Sequence, residues 1–477
     1  MNFIIAWPMV FSNENSGPLA RGNSPLICYN RENACAFSAG KEALPMTPER
    51  WILHCDCNSF YASVELLAHP ELLNTPVAVC GDPEGRHGIV LAKNEAAKKY
   101  HIQTAETIWS ARSKCPNLVL LPPHREKYSH YCRVINDIYE KYSDRVEAFS
   151  IDESWLDITH TWHLFAADPI ALANQIRREV QAVTGLTISV GVSFNKVFAK
   201  LGSDYKKPNA TTVIRPEDVE RIVWPLPVTD LLYVGRSAAQ SLSRMGIRTI
   251  GQLAAADPAS LTGALGKLGG ELSRYARGED DAPVRFVGES DPIKSVGNGM
   301  TFRRDLAGEA DIRTALAALC DEVASRLRRH GLWAGGVQLT IRDPQFKSIT
   351  RQKRLPQSSH LASELAAACL ELVQANWRPV TKPIRMLTVT ALSLTEEPLG
   401  IQQSFFDDAP VPDEKRERLE ASLDAIRKKY GQQAVGPAST VKNQLGLAGP
   451  GAETRKATLT PDKEPENGFE EKVKGPL

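Results

Sequence analysis

Asp152 and Glu153 stand side by side between two apolar, strand-like runs, Val146 to Ile151 and Trp155 to Ile158. Neighbouring carboxylates repel each other, and a fold that keeps such a pair at the junction of two strands has to bring a compensating cation to it. Successive residues of an extended strand point to opposite faces, so both side chains reach one site only where the chain turns or bulges. An exposed hairpin turn would display the same pair without forming a site. A third carboxylate bears on the choice. Asp56 ends another apolar strand pattern, Trp51 to Cys57, after which Asn58 and Ser59 can cap a helix carrying Phe60, Val64 and Leu67 on one face.

A carboxylate at a strand end beside a helix N-terminus is where oxygen ligands can hold Mg²⁺ while free backbone N–H groups face an anionic phosphate. If Asp56, Asp152 and Glu153 meet across neighbouring strands, they compose the oxygen set that two-metal phosphoryl transfer requires: one ion to lower the pKa of an attacking hydroxyl, one to hold a triphosphate and its leaving group. No histidine or cysteine cluster competes for a softer metal, since His160 and His163 lack a second ligand pair.

The surroundings of these acids predict an α/β (α+β) domain over residues 50–225, because strand patterns alternate with amphipathic helices. Val77 to Gly81 and Gly88 to Ala92 read as a hairpin-like pair. Leu172, Ile176, Val180 and Val183 recur at helical spacing, and Leu186 to Val192 alternates as a strand. Pro225 and Pro227 mark a change to a glycine-punctuated helical unit, 226–285. A linker rich in Gly, Asp and Pro, Gly278 to Pro292, closes it, with 286–292 as the connection proper. A third mixed part, 293–397, carries strands at Val337 to Arg342 and Leu387 to Leu392 and helices near Ile312 to Arg329 and Ala362 to Asn376. Residues 398–435 hold a short apolar-aromatic peptide and a charged helix.

Residues 1–49 have no sustained period and read as a poorly ordered extension, with Met46 a candidate natural start; the Gly-, Pro-, Lys- and Glu-rich tail 436–477 reads as disordered. The 477 residues imply several cores. Nine cysteines without a CxxC pair suit a reducing cytosol, and no stretch approaches the roughly 20 apolar residues of a membrane span.

Three stretches together resemble the ordered motifs of the Y-family translesion DNA polymerases: His54 to Glu65, Ser150 to Glu153, and Gly191 to Lys200 with Asp204 to Asn209. The resemblance runs from about Trp51 to Tyr430 and implies a ferredoxin-like palm, small fingers, a helical thumb and a mixed α/β little finger. It implies Asp56, Asp152 and Glu153 as catalytic, metal-binding acids for two Mg²⁺, with Glu153 nearest the primer 3′-hydroxyl and the Cys57 carbonyl completing one coordination shell. Tyr61 falls at the steric-gate position that selects deoxynucleotides, with Phe60 beside it. Lys98 and Lys207 match the triphosphate contacts. Asn58 stands where many relatives carry another acid, and Glu95 where many carry a tyrosine. The partners implied are primed template DNA, deoxynucleoside triphosphates and a sliding clamp (its β subunit), with the enzyme a cytoplasmic monomer that does not engage a membrane and has no proofreading domain.

Leu231 to Leu253 resembles a helix-hairpin-helix, in which Gly235 lets backbone N–H groups approach a DNA phosphate. Tyr233 replaces the first of the two usual glycines. Residues 293–395 hold 15 Lys and Arg against 8 Asp and Glu, a formal +7 in a chain whose total is only +1. That asymmetry suits a domain lying along a duplex, with Arg303, Arg304, Arg342, Arg351, Lys353 and Arg354 as candidate contacts. Gln402-Gln403-Ser404-Phe405-Phe406 resembles a clamp-binding peptide, with Gln402, Phe405 and Phe406 as its anchors. The expected function is template-directed, low-fidelity DNA synthesis past damage. The alternatives are a non-catalytic DNA-binding scaffold recruited to the clamp, and another two-metal palm enzyme such as a nucleotide cyclase.

Overall fold

A computed structural model describes residues 49–82, 88–378, 382–398, 414–432, 434–440 and 444–447. The chain divides into two compact units, one ending at Asp291 and the other beginning at Pro292. The expected extension before residue 49 lies outside the described residues.

In the first unit, β1 (Ile52–Cys57) leads into α1 (Phe60–Leu66). A small sheet comes next, in which β2 (Val77–Cys80) pairs antiparallel with β3 (Val90–Lys93), and the short helices α2 (Glu95–Lys98) and α3 (Ile108–Lys114) lead to β4 (Val119–Leu121), parallel to β2. After α4 (Arg125–Glu140) come β5 (Val146–Ala148), β6 (Glu153–Asp157), α5 (Pro169–Thr184), β7 (Ile188–Ser193), α6 (Lys196–Tyr205) and β8 (Thr211–Ile214). With β1 these strands make a five-stranded sheet in the order β5-β6-β1-β7-β8, antiparallel except between β7 and β8.

Central β1 is buried along its whole length, and its side chains divide between two faces. Leu53, Cys55 and Cys57 join the core built with Tyr128, Cys132 and Ile135 of α4 and Leu172, Ile176 and Val180 of α5. Ile52 clusters instead with Ala199 of α6, and His54 Nδ1 lies 2.8 Å from Ser203 Oγ on the same helix. Asp56 therefore points to the α6 side. The periodic face read into α5 meets the sheet except for Val183, which is exposed; the helix buries Thr184 there instead.

Two local expectations at α1 are corrected. Ser59 precedes the helix in a left-handed conformation (φ 51°) with no capping side-chain bond, its hydroxyl donating to Glu95 Oε1 at 3.1 Å. The helix ends at Leu66, which is buried, while Leu67 is exposed.

The helical unit comprises α7 (Arg236–Arg244), α8 (Ile250–Ala255), α9 (Pro258–Leu265) and α10 (Lys267–Ala276), packed around Leu242, Ile250, Leu253, Leu261 and Leu272. The stretch after α10 is docked on the palm side of this unit rather than running as a free linker. Val284 is fully buried with Ile52, Trp155 and Ala199, the Arg145 guanidinium sits 4.0 Å over the Phe286 ring, and Val287 N–H donates to the Asp144 carbonyl. A short apolar run inside a polar stretch is enough to hold it.

In the second unit, β9 (Val296–Leu306), α11 (Glu309–Arg329), β10 (Trp333–Arg342), β11 (Ser348–Ser359), α12 (Ala362–Asn376) and β12 (Ile384–Thr395) form an antiparallel sheet, β11-β10-β12-β9, whose buried face meets both helices. α13 (Glu414–Tyr430) is fastened to α11 by partly buried ion pairs: Arg328 with Glu420 and Asp424, and Arg427 with Asp321. The expectation of a structureless tail from 436 is corrected where the chain is described. Ala438–Thr440 is a helical turn, Leu445 and Leu447 are buried in this core, and Arg303 N–H donates to the Leu445 carbonyl at 3.0 Å. Two leucines in a polar stretch escape a composition argument but suffice to anchor it.

The docking of α6 on β7 leaves no space at Gly191, where a Cβ would meet the Ala199 carbonyl oxygen at 1.9 Å and the Ser203 nitrogen at 2.5 Å. Gly191→Ala should therefore cost about 1–3 kcal/mol by forcing backbone apart. Urea denaturation checks this, and an unchanged midpoint would refute it.

Candidate active site

The antiparallel register places Asp56 directly opposite Glu153 on β6 and Ser189 on β7. Directly opposed residues share a face, so Asp56 and Glu153 both look toward α6. Asp152 lies in the bend before β6, where its carbonyl accepts from Cys57 N–H at 3.0 Å. Its charge there acts on Tyr61 and Cys57 as well as on Asp56 and Glu153. Asp152 is thus electrostatically coupled to both Asp56 and Glu153, near the end of the central strand, although 152 and 153 are neighbours in the chain. Among the described residues no group of three or more His, Cys, Asp or Glu side chains is already arranged as a metal cage.

Two lysines occupy the cluster. Lys200 Nζ lies 2.9 Å from Glu153 Oε1, 3.2 Å from Asp56 Oδ2 and 3.2 Å from Asp204 Oδ2. Lys207 Nζ lies 2.7 Å from both Asp56 Oδ2 and Asp204 Oδ1. Burial would lower both ammonium pKa values, but the surrounding carboxylates raise them above the ordinary range. Asp56 is shifted upward, chiefly by burial and against the pull of both lysines. Asp152 is pushed up to about 6 by burial and by its acidic neighbours, although Ser150 Oγ donates to it at 2.6 Å. Lys200 and Asp204 carry weight in this geometry that sequence reasoning missed; their i, i+4 spacing on α6, one turn before Lys207, was the available signal.

Behind Glu153, His54 is fully buried. Ser203 Oγ donates to the Lys200 carbonyl, so the His54–Ser203 bond has Nδ1–H as donor and leaves Nε2 facing Glu153 Oε2 at 3.7 Å. Burial and Lys200 hold the His54 pKa down to about 3, so the ring is neutral.

The candidate nucleotide contacts fall differently. Tyr61 is half-buried and stacks on Tyr128, with ring centroids 4.0 Å apart and 9° between planes. Tyr128 is held by buried Glu65, which also accepts from His124 N–H at 3.0 Å. Phe60 is buried in the sheet core beneath Tyr61, with no face left for a ligand, which corrects its expected role. Lys98 is exposed, and its Nζ donates to Glu95 Oε1 at 2.5 Å.

In the helical unit Gly235 precedes α7 with open space around it, and Tyr233 adopts the left-handed conformation (φ 70°) expected of a glycine. In the second unit the open face of the sheet carries Gln338, Thr340 and Arg342 of β10, with Thr350 and Gln352 opposite them on β11 and Thr388 and Thr390 on β12. Gly297 and Gly299 of β9 continue this face. Arg351 and Lys353 pair with buried Leu339 and Val337, on the helix-covered side; Arg351 Nε donates to Asn376 Oδ1 at 3.1 Å, and Lys353 binds Glu371 of α12. Alternation along β11 thus turns both away from the open face, against their expected role as DNA contacts. Arg304 is engaged by Asp311 through two bonds, 2.6 and 2.9 Å, while Arg303 is exposed. Gln402, Phe405 and Phe406 lie outside the described residues.

Two family models match, the impB/mucB/samB family over residues 55–204 and the C-terminal domain of that family over 293–405. The DNA polymerase IV of Acetivibrio thermocellus is 45% identical over 81% of this chain and 96% of its own. The DNA polymerase IV 1 of Bacillus subtilis is 34% identical over 83% and 94%. The chain belongs to the Y-family of DNA polymerases, in its DNA polymerase IV branch. A solved Y-family polymerase chimera, Dbh-Dpo4-Dbh, shares the fold with TM-score 0.65 over 73% of this chain and all of its own, at 23% identity. That fold is a mixed α/β arrangement of palm, fingers, thumb and little finger; we propose that the five-stranded sheet with α4 to α6 is the palm, β2 to β4 with α2 and α3 the fingers, α7 to α10 the thumb and the second unit the little finger. The protein is a DNA-directed DNA polymerase of the translesion class.

The raised Asp152 carboxyl fixes a sign. The folded chain holds that proton more tightly than the unfolded chain, so this group's contribution to stability falls as pH rises from about 4 to about 6 and stays low above. In chelator, Asp152→Asn should stabilise the protein by about 1–2 kcal/mol near pH 7.5 and by little near pH 4. Urea titrations at both pH values test this; equal effects at the two would contradict it.

Proposed function

We propose that Asp56, Asp152 and Glu153, with the Cys57 carbonyl, would hold two Mg²⁺ ions and that the primer 3′-hydroxyl, losing its proton, attacks the α-phosphate of an incoming deoxynucleoside triphosphate beside them, breaking the α–β phosphoanhydride bond so that pyrophosphate leaves. The observation that carries this reading is the concentration of hard oxygen donors near the end of the central strand, where the balancing charges are the ammonium groups of Lys200 and Lys207. Carboxylate and carbonyl oxygens suit Mg²⁺, and a partly buried acid cluster favours a divalent ion over bulk water. Once bound, the metal supplies a lowered hydroxyl pKa and neutralises triphosphate charge.

The protein's own groups do the remaining work. Lys207, at the rim beside Asp56, is placed to exchange a carboxylate for a triphosphate oxygen, and Lys98 to meet the distal phosphates once Glu95 releases it. Tyr61, clamped flat against Tyr128, presents a rigid edge where a ribose 2′-hydroxyl would collide. Template and primer are gripped without sequence reading, by backbone N–H groups near Gly235 and by the threonine- and glycine-lined face of the little finger, where small residues let a sugar-phosphate chain approach closely. Arg303, Arg342 and Arg354 supply charge there. The peptide Gln402 to Phe406 is proposed to dock on the β subunit of the sliding clamp, with the polymerase a monomer working in the cytosol; among the described residues no helix is long and apolar enough to cross a membrane.

Asp152→Asn and Glu153→Gln should each lower primer extension by about a thousandfold or more while affinity for primed DNA stays unchanged. Single-turnover extension and a DNA-binding titration check this; a variant that extends at the native rate would remove that acid from the mechanism. Deleting Gln402 to Phe406 should spare unstimulated synthesis and abolish stimulation by the clamp, and equal stimulation of the shortened protein would overturn that assignment.

A further inference from the structure

We infer that Asn58 is a positioning residue that sets nucleotide affinity through Lys207. Asn58 is 6% exposed and its polar groups are engaged. Its N–H donates to the Thr187 carbonyl at 2.9 Å and its own carbonyl accepts from Ser63 Oγ at 2.7 Å, which locks the backbone two residues beyond Asp56. The side-chain amide then spans two segments. Nδ2 donates to Ser189 Oγ at 2.8 Å, while Oδ1 accepts from Thr187 Oγ1 at 3.0 Å and from the backbone N–H of Asn209 at 2.8 Å.

The last bond ties the Lys207-Pro208-Asn209 turn to the end of β1. Asn209 takes a left-handed conformation (φ 51°), which asparagine adopts more readily than most residues, and partners on either side hold the turn in it. The second partner is Arg177, whose guanidinium binds the Asn209 carbonyl and, at 3.3 Å, its Oδ1. With the turn fixed from both sides, Lys207 Nζ projects back to 2.7 Å from Asp56 Oδ2. Asn58 therefore determines how far the ammonium stands from the acid cluster without touching it.

A neutral amide suits this task. It accepts from Asn209 N–H as a carboxylate would, yet adds no charge beside Asp56, Asp152 and Glu153. An aspartate here would keep all three bonds, because Ser189, Thr187 and Asn209 N–H can each donate.

The inference rests on the reading of Lys207 as a triphosphate contact, and single-nucleotide incorporation kinetics on Asn58→Ala, Asn58→Asp, Lys207→Ala and the Asn58→Ala/Lys207→Ala double variant separate the two. Losing one positioning bond should raise the nucleotide KM of Asn58→Ala by about fivefold with kcat within about twofold. DNA affinity should be unchanged, Asn58→Asp should restore most of the loss, and Asn58→Ala should add little in the Lys207→Ala background. Effects that multiply in the double variant, a fall in kcat at unchanged KM, or failure of Asn58→Asp to rescue would each overturn the positioning role. A native KM in Lys207→Ala would instead sink the triphosphate reading. If Asn58→Ala does not fold, Thr187→Val/Ser189→Ala, which frees the amide without altering it, carries the same test: a raised KM supports the inference and a native one overturns it.

Discussion

Carboxylates gathered at the end of a fully buried strand are tolerable only because two ammonium groups reach them, and much of the palm serves that balance. Asp56 is 4% exposed, so its charge could not persist without a partner at contact distance. Lys200 supplies it from α6, which must lie against β7 closely enough for a lysine stem to span the gap. The pair Gly191 and Gly202 makes that approach possible, since a Cβ on Gly202 would sit 3.1 Å from the Gly191 Cα. A glycine contact deep in the palm thus controls the electrostatics of its rim. The lysines have the same logic as the cation they would share the site with: they oppose the upward shift that burial gives Asp56 and hold Asp56, Glu153 and Asp204 on a shared pair of ammonium groups, which keeps the donors gathered in one place.

A second constraint acts on the other side of β1. Tyr61 stacks on Tyr128, Tyr128 bonds to Glu65, and Glu65 takes the N–H and ring nitrogen of His124 at the start of α4. A buried acid satisfied by three donors holds an aromatic platform still, and the platform holds the residue that would meet the sugar. Selectivity by shape requires such stiffness, because a ring free to swing would admit a ribose. The palm accordingly carries two polar networks on opposite faces of one strand. One is charged and shared with the rim, the other closed and structural.

The strands around the acids and the helices α5, α11 and α12 were legible because apolar periodicity reports burial, and these elements are buried on one or both faces. β11 was not legible. Its edge position and polar composition, Ser-Ile-Thr-Arg-Gln-Lys-Arg, leave no alternating pattern, and its partner β10 supplies the register. That omission explains why Arg351 and Lys353 stood among the candidate DNA contacts: without a strand, alternation could not sort them from Gln352 and Arg354. Phe60 failed for a different reason. Adjacent aromatics on a helix point about 100° apart, and Phe60 shares the apolar face of Val64, so the periodicity already placed it in the core and only the resemblance set it beside the nucleotide. Lys200 was quoted within a motif but carried no role, because its partners lie 144 and 47 residues away and only the sheet brings them near.

The two departures from the family pattern, Asn58 and Glu95, lie on either side of Ser59 in space and act in opposite senses. Ser59 sits between them because its left-handed backbone turns the hydroxyl away from the α1 N-terminus and toward Glu95. Glu95 in turn binds Lys98, so a basic group facing the fingers is already partnered by an acid of its own helix. In the proposed reading an incoming triphosphate would displace that carboxylate, whereas Lys207 is held by an amide that competes for nothing. An exposed ion pair is worth only about 0–1 kcal/mol, so the Glu95 latch is weak and easily exchanged. The buried Asn58 bonds are not. On that reading the rim beside Asp56 is the rigid half of the proposed nucleotide site and the segment around Glu95 and Lys98 the yielding half, a division suited to a polymerase that must accept misshapen base pairs while keeping its reacting groups in place.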